Sequence, residues 1–312
     1  MTTLRFGLIG TGYWARTVHA AGVKQHPRAE LVGVWGRDST TSADLAGELG
    51  TRAYADVDTL LGDVDALTFA VPPDVQSELA IRAAEAGRHL LLEKPIATSP
   101  ANAQRLEAAA TRAQVASIVF FTRRFVPETI AWLESATASG GWDCGRAEFA
   151  GSALVDSGVF SNSPWRYAKG ALWDVGPHAL SLLCAVLGDV TAVVAGGGRG
   201  DQVHLVMRHT SGASSTASLS MSVPPPAAGN MVYLYGRAGR TTAPSGALDR
   251  SDVVAAHRSA IDALIGQVEQ PRSGHACDVH FGRRVVQILD AAEQSIASGQ
   301  RLPLELATER VS

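Results

Sequence analysis

A glycine-rich run near the N-terminus constrains the fold of this chain most. Gly10-Thr11-Gly12-Tyr13-Trp14-Ala15 follows a short apolar strand, residues 6–9, and opens a helical pattern that ends at Gln25. In G-x-G-x-x-G/A the first glycine makes a tight turn, the second lets the backbone approach a pyrophosphate, and the small last residue permits close helix–strand packing. The helix N-terminus attracts the phosphate charge. The run predicts a dinucleotide site, with a purely structural turn as the alternative.

The rest of the first third alternates apolar strands with amphipathic helices. Continuous apolar strands separated by helices indicate a parallel sheet that is covered on both faces. We therefore predict an α/β fold whose N-terminal domain, residues 1–122, is a Rossmann-type, doubly wound parallel sheet. A helix capped by Ser39 or Thr41 should end at Gly50. Further strands are predicted at 31–35, 66–71, 89–92 and 115–121, with another helix at 75–86.

Beyond residue 123 the pattern changes. A helix follows Pro127, another is predicted to begin at Asp174, and period-two runs then occupy 203–207, 217–223 and 231–235. Such alternation indicates a mostly antiparallel, open sheet. We predict a second α/β domain over 123–312, closed by helices at 254–268 and 278–298. The serines at 218, 220 and 222 form either a solvated face or a face that meets a second subunit.

Composition excludes several classes of partner. A net charge of −3 and a pI near 6.3 argue against nucleic acid or an anionic membrane. The N-terminus lacks a signal-peptide profile, and no apolar run approaches the length that spans a bilayer. Cys144, Cys184 and Cys277 are widely spaced and form no C-x-x-C pair, so we expect reduced thiols, no metal site and a cytoplasmic protein.

The end of the second predicted strand should contact the adenosine ribose. A carboxylate there would select NAD, but this chain reads Gly36-Arg37-Asp38. Arg37 can pair with a 2′-phosphate and stack on adenine. Asp38 can serve a ribose if the loop turns differently. We therefore expect NADP(H) in preference to NAD(H).

Two short charged motifs are candidates for chemistry. Glu93-Lys94-Pro95 closes the strand at 89–92, at the strand end where ligands bind parallel sheets, and Lys94 could stabilise an alkoxide-like oxygen, oriented by Glu93. A salt-bridged surface loop is the alternative. Asp174 and His178 stand four residues apart, so on one helix they would share a face, where the carboxylate could orient an acid–base imidazole. A helix cap and a structural histidine are the alternatives.

Candidate substrate contacts cluster before that helix. Trp165, Arg166 and Trp173 could stack on a sugar or pair with an anionic group, although core packing is an alternative for the tryptophans. Arg124 could serve the substrate or the nicotinamide side.

Four features in order resemble one known family. They are the glycine run at 10–15, Glu93-Lys94-Pro95, Arg124-Phe125-x-Pro127 and the stretch from Gly170 to His178. The chain resembles the Gfo/Idh/MocA oxidoreductases. The resemblance implies a Rossmann domain followed by an α/β domain whose open antiparallel sheet forms oligomers, here a homodimer or tetramer. It implies that Lys94, Asp174 and His178 form the catalytic set, that the Lys94–Pro95 bond can be cis, and that the substrate is a sugar, cyclitol or nucleotide sugar.

The chain departs from the family pattern at the predicted rim of the site. Val71-Pro72-Pro73-Asp74-Val75-Gln76 stands where such proteins usually read Thr-Pro-Asn-x-x-His, so Gln76 replaces a histidine. Thr122 replaces an asparagine, and Lys169-Gly170-Ala171 replaces three glycines. The predicted cofactor contacts are Gly10, Thr11, Gly12, Tyr13, Trp14, Arg37, Asp38, Val71, Pro72, Gln76, Glu93 and Lys94.

The combined reading is reversible hydride transfer between a nicotinamide and a secondary alcohol or ketone. His178 would exchange the hydroxyl proton, Asp174 would position the substrate and raise the basicity of the imidazole, and Lys94 would stabilise developing negative charge. Two alternatives stay open. One is a sensor that binds NADP without turnover, and the other is an enzyme that lends and regains a hydride on a tightly held cofactor.

Overall fold

The computed structural model of the chain describes residues 2–155, 163–237, 239–271 and 274–305. Within these ranges the chain forms two compact units. The described residues of Met1–Val126 and Leu248–Arg283 form the first unit, and those of Pro127–Ala247 and Arg284–Ser312 form the second.

The first unit is built on a six-stranded parallel sheet. Its order, β3-β2-β1-β4-β5-β6, reverses direction between β1 and β4, which places a ligand crevice at the carboxyl ends of those strands. The predicted parallel sheet is confirmed, and the two-residue β3 was not predicted. Its strands are β1 (Leu4–Ile9), β2 (Ala29–Trp35), β3 (Arg52–Ala53), β4 (Ala66–Phe69), β5 (His89–Leu92) and β6 (Ser117–Val119).

Helices connect these strands, and their termini show how the sequence sets their ends. The cap of α2 is Asp38, whose carboxylate accepts the Thr41 amide at 2.7 Å, so the predicted Ser39 or Thr41 cap was wrong. Gly50 ends α2 in the left-handed conformation, as predicted. A π-helical turn, Ala15–His19, precedes the first helix. The helices are α1 (Ala20–Gln25), α2 (Ser39–Leu49), α3 (Val57–Asp63), α4 (Pro73–Glu85) and α5 (Pro100–Arg112).

The second unit contains a seven-stranded sheet in the order β12-β11-β7-β10-β9-β8-β13. All its neighbours are antiparallel except β7 and β10, which confirms the predicted mostly antiparallel sheet. Its elements are α6 (Pro127–Ser139), β7 (Trp142–Ala150), α7 (Pro164–Asp174), α8 (Gly176–Leu187), β8 (Val190–Gly197), β9 (Val203–His209), β10 (Ser214–Ser220), β11 (Gly229–Gly236), β12 (Gly239–Thr242) and β13 (Leu302–Pro303).

Two long helices lie between β12 and β13 in the chain: α9 (Arg250–Glu269) and α10 (Val279–Ser298). Assigning 123–312 to the second domain was wrong for 123–126 and 248–283, because these segments belong to the first unit. The side chains of Ile261 and Leu264 are fully buried, and α9 packs against α1, β5 and β6. A parallel sheet needs helices on both faces, and α9 supplies part of that cover.

The predicted helix start at Asp174 was also wrong. Asp174 is the last residue of α7, Val175 links the two helices, and α8 begins at Gly176. Gly170 interrupts α7 with a φ of 63°. Contrary to expectation, one described stretch, Pro164–Leu187, is long and apolar enough to be compared with a membrane-spanning helix. Its most apolar window has a mean hydropathy of 1.4 and is 72% buried inside the protein, as a core helix would be.

The serine side chains of strand β10 are not simply solvated, because two of them contact polar side chains of neighbouring segments. Ser220 is buried and donates to Asp201 Oδ1 at 2.8 Å, and Ser218 is half-buried beside His204, with 3.0 Å between Oγ and Nδ1. Opposite these polar contacts, Ala217 and Leu219 are buried.

Candidate functional site

The turn after β1 has the form that a dinucleotide pyrophosphate needs. Gly10 has a φ of +122°, and a Cβ there would lie 2.5 Å from the Ala70 carbonyl oxygen, so only glycine fits. A Cβ on Gly12 would meet nothing within 4 Å, which leaves open space where the second glycine admits a phosphate. A Cβ on Gly36 would lie 2.7 Å from the Thr11 methyl carbon, so Gly36 makes room for Thr11.

The two aromatic residues of this turn make polar contacts inside the first unit. Tyr13 is 44% exposed, and its hydroxyl accepts a hydrogen bond from the Arg250 guanidinium at 2.9 Å. Trp14 donates its indole N–H to Glu93 Oε1 at 2.7 Å. The predicted cofactor turn is therefore joined directly to the segment that carries Lys94.

At the predicted ribose position the two candidate side chains differ. Asp38 is occupied as the cap of α2, because its Oδ1 also accepts the Thr41 hydroxyl at 2.6 Å. These hydrogen bonds hold the pKa of Asp38 below its ordinary value. Arg37 is exposed at the end of β2.

Gln76 holds the main chain of the segment that carries Lys94. Its side chain is fully buried, its Oε1 accepts the Glu93 amide at 2.8 Å, and its Nε2 donates to the Glu93 carbonyl at 2.8 Å and to the Pro95 carbonyl at 3.3 Å. Gln76 is thus a clamp on the main chain beside Lys94, and its role as a cofactor contact stays a prediction. The Lys94–Pro95 bond is cis. Val71 and Pro72 are half-buried after β4.

Arg124 lies in a short 3-10 helix, Thr122–Phe125, that follows β6 in the first unit. Its charge acts on two groups of the same unit. The pKa of His275 is lowered by burial first and by Arg124 second. Burial raises the pKa of Cys277 to about 11, against an opposing effect of Arg124. All three cysteines are free thiols.

In the second unit Asp174 forms an ion pair. Arg166 Nε lies 3.0 Å from Asp174 Oδ2, with side chains 18% and 7% exposed. The same guanidinium lies over the Trp165 ring at 4.6 Å and donates to Ser163 Oγ at 3.2 Å. The pair holds the carboxylate in one orientation, which a substrate-positioning role requires.

His178 lies in the first turn of α8 and is half-buried, with its ring stacked on Phe149 at a centroid distance of 6.2 Å. Because a helix boundary separates it from Asp174, the predicted shared face of one helix is corrected. Trp173 has no exposed surface, which favours the core-packing alternative, and its substrate contact stays a prediction. Lys94 belongs to the first unit, and Asp174 and His178 belong to the second, so their convergence stays a prediction.

Sequence reasoning missed a buried polar set beneath the glycine turn. It consists of His19, Thr68 and His257, all fully buried in the first unit. The local sequence pattern could not predict that His19, on an apolar helix face, would bond to Thr68 on a strand. The partner on α9 is far away in sequence and had been assigned to the wrong domain.

A parallel sheet of this strand order, with a glycine turn shaped for a pyrophosphate, defines a dinucleotide-binding α/β protein. Family models match both halves of the chain. Residues 4–121 match the oxidoreductase family with an NAD-binding Rossmann fold, and residues 143–242 match the GFO/IDH/MocA C-terminal domain. The chain belongs to the Gfo/Idh/MocA family of oxidoreductases.

Individual relatives agree with this assignment. The chain is 36% identical over 106 residues to UDP-N-acetylglucosamine 3-dehydrogenase of Acidithiobacillus ferrooxidans, covering 34% of this chain and 33% of that protein. It is 28% identical to levoglucosan dehydrogenase of Pseudarthrobacter phenanthrenivorans, covering 62% and 53%. These matches span from a third to about half of the curated relatives. The solved structure of GenD2 from gentamicin A biosynthesis, in complex with NAD, has the same fold (TM-score 0.84, 23% identity, 98% and 97% covered).

Proposed function

We propose that this chain catalyses reversible hydride transfer between a nicotinamide dinucleotide and a carbon that bears a secondary alcohol or ketone. One observation carries the proposal. The indole N–H of Trp14, in the glycine turn, donates to Glu93 Oε1 at 2.7 Å, and Glu93 directly precedes Lys94 in the sequence. The pyrophosphate turn and the candidate catalytic lysine are therefore neighbours within one unit. Family membership supports the same reading.

The chain's own residues would divide the remaining work. A bound dinucleotide supplies the hydride chemistry. The turn at 10–14 would hold its pyrophosphate, and the Lys94 ammonium would stabilise negative charge on the substrate oxygen. His178 would accept the hydroxyl proton in oxidation and return it in reduction. Asp174, held by Arg166, would orient the substrate hydroxyl.

We propose NADP(H) as the preferred dinucleotide. Support comes from the ribose position, where Asp38 is used as a helix cap and Arg37 is an exposed cation. A guanidinium can pair with the 2′-phosphate that NAD lacks. The test compares dissociation constants for NADPH and NADH in the wild type and in Arg37→Ala. A preference for NADH that persists in Arg37→Ala would contradict the proposal.

The proposed substrates are sugars, cyclitols or nucleotide sugars. The dehydrogenase names of the relatives support this class, and so does the Arg166 guanidinium beside the Trp165 ring. The experiment follows nicotinamide absorbance with keto-sugars, inositols and nucleotide sugars, using the wild type and Lys94→Ala. Turnover that Lys94→Ala abolishes supports the proposal. Dinucleotide binding without turnover would favour a sensor, and product formation without net dinucleotide change would favour a lend-and-return enzyme.

We also propose that the open sheet of the second unit associates with a second copy of the chain. Strand register places Val194, Val206 and Tyr233 in one row across the sheet, with Met231 and Tyr235 on the same face. Of these, Val206 is 53% exposed and Tyr235 is 44% exposed. Thr216 and Arg146 lie in the same row between Val206 and Tyr233, so the face is mixed, and its exposed apolar side chains make it a candidate interface. Light scattering should report a dimer or tetramer for the wild type and a smaller species for Val206→Glu, and a monomeric wild type would refute the proposal.

A further inference from the structure

A π-helical turn, Ala15–His19, lies between the glycine turn and α1. Trp14 caps it, and the Ala20 amide closes it by donating to the Ala15 carbonyl, five residues back. In an α-helix, residues five apart stand about 140° from each other around the axis, so Trp14 and His19 would lie on different faces. The i→i+5 pattern of the π-turn places them about one turn apart instead. The π-turn therefore brings together two side chains that a regular helix would separate.

These two side chains meet at one oxygen atom. Trp14 Nε1 donates to Glu93 Oε1 at 2.7 Å, and His19 Nε2 lies 3.2 Å from the same oxygen. His19 is fully buried, and its Nδ1 lies 2.7 Å from Thr68 Oγ1 and 3.3 Å from His257 Nε2, so its ring is held from both sides. Because Glu93 directly follows β5, one carboxylate oxygen ties both ends of the π-turn to the parallel sheet.

The Glu93 side chain that forms this bridge is itself fixed in place. The Gln76 clamp holds the main chain of Glu93 by two hydrogen bonds of 2.8 Å. Glu93 Oε2 accepts the Lys94 amide at 3.1 Å, and the side chain is 13% exposed. A carboxylate has about four lone-pair sites on its two oxygens, so Oε1, with Trp14 and His19 beside it, has no site left for a ligand. The bridging oxygen therefore serves the protein and not a bound molecule.

We infer that Glu93 is a positioning residue for the dinucleotide, which acts through Trp14 and not by touching the ligand. The N–H groups at the start of this helical segment are those that would hold a pyrophosphate. By fixing the Trp14 side chain, Glu93 Oε1 keeps the main chain of the turn in the conformation that leaves open space beside Gly12. Such preorganisation raises affinity, because the turn need not be ordered when the ligand binds. The inference rests on the dinucleotide site of the proposed function, but it concerns binding and not hydride transfer.

Paired substitutions of the donor and the acceptor test the inference. Trp14→Phe removes the indole N–H and keeps an aromatic ring, and Glu93→Ala removes the acceptor. Since a hydrogen bond to a charged group contributes about tenfold to an equilibrium, each variant should weaken NADPH binding about tenfold in isothermal titration calorimetry. The double variant should also be about tenfold weaker, not about hundredfold, because both changes remove the same bond. Glu93→Gln keeps an acceptor oxygen and should lose about threefold or less.

A second ligand and a matched variant separate positioning from direct contact. ADP carries the adenosine and the pyrophosphate but lacks the nicotinamide and its ribose. If the turn is what changes, Trp14→Phe and Glu93→Ala should weaken ADP and NADPH binding by the same factor. Trp142→Phe is the control, because the half-buried Trp142 donates its indole N–H to the Ala136 carbonyl at the same distance of 2.7 Å in the second unit. This variant should leave both affinities unchanged.

Hydrogen exchange of the ligand-free protein shows whether the effect is local. Peptides that cover residues 10–20 should exchange faster in Trp14→Phe and Glu93→Ala, with the rest of the chain unchanged. If exchange rises along the whole chain in Glu93→Ala, that variant has unfolded, and Trp14→Phe and Glu93→Gln decide.

Three results would overturn the inference. Unchanged NADPH affinity in Trp14→Phe would do so whatever Glu93→Ala shows. A multiplied loss in the double variant, or a loss for NADPH without one for ADP, would make Glu93 a direct contact of the ligand. A wild type that binds NADPH without turnover would contradict the proposed function alone, whereas a wild type that binds neither NADPH nor ADP would contradict both.

Discussion

Replacing Gln76 by alanine tests whether this residue is a main-chain clamp. The substitution removes three hydrogen bonds, to the Glu93 amide, the Glu93 carbonyl and the Pro95 carbonyl. A buried backbone group left without a partner costs about 1–3 kcal/mol. Glu93 is partly exposed, so water can satisfy some of the loss, and the lower end of the range applies to each group. With about 1 kcal/mol for the cavity, the free energy of unfolding should fall by about 3–4 kcal/mol.

The matched control for this experiment is the next residue on α4. Ser77 is equally buried, but its hydroxyl makes one hydrogen bond, to the Asp74 carbonyl at 2.9 Å. Ser77→Ala should therefore cost about 1 kcal/mol or less. Urea unfolding followed by far-ultraviolet circular dichroism measures both variants. If Gln76→Ala is as stable as Ser77→Ala to within about 1 kcal/mol, the clamp argument is refuted. Wild-type stability with weakened dinucleotide binding would instead support Gln76 as a cofactor contact.

Three further predictions follow from the same geometry. Gly10→Ala should lose about 2–4 kcal/mol of stability, because a Cβ there meets the Ala70 carbonyl oxygen and the residue has a positive φ. Gly12→Ala should melt like the wild type and bind dinucleotide about tenfold more weakly, because its Cβ enters the open space proposed for the phosphate. Equal melting temperatures for the two variants would contradict this prediction. His178→Ala should lower turnover by ~10²–10⁴-fold at unchanged dinucleotide affinity, and a full-rate variant would remove it from the mechanism. Burial depresses the pKa of His257 below its ordinary 6.5, so the unfolded chain binds a proton that the folded chain does not, and stability should fall as pH drops below that value. Urea midpoints against pH should show a shallower fall in His257→Gln, and an equally steep fall would argue against it.

The parallel sheet and its glycine turn could be predicted because their signals are local. Buried parallel strands are continuous apolar runs, and the turn needs glycine at a position where the structure leaves no room for a Cβ. The strand β7 was missed because Gly145 and charged residues interrupt its apolar pattern, although its alternation of buried and exposed side chains is regular once it is paired. Asp38 was ambiguous for a chemical reason. A ribose site and a helix cap both favour a short carboxylate, and only the position of Thr41 distinguishes them.

The errors in the candidate site had one local cause and one long-range cause. The run at 173–178 was interpreted as one helix start, because a proline in a first turn is a helix-start signal. Pro177 does lie in the first turn of α8, but a second helix that ends at Asp174 precedes it. His257 contacts His19 across 238 residues of sequence, and no periodicity records such a contact.

The return of the chain to its first unit has a consequence for synthesis. The parallel sheet receives α9 only after strands β7 to β12 of the second unit have been translated. A nascent polypeptide that ends at Val126 lacks α9, whose His257 packs against Phe120 and the imidazole of His19. These two side chains would therefore stay exposed to solvent while the chain is still on the ribosome. Splicing residues 1–126 to 248–283 through a short peptide should yield a separately folding nucleotide module, whereas residues 1–126 alone should aggregate.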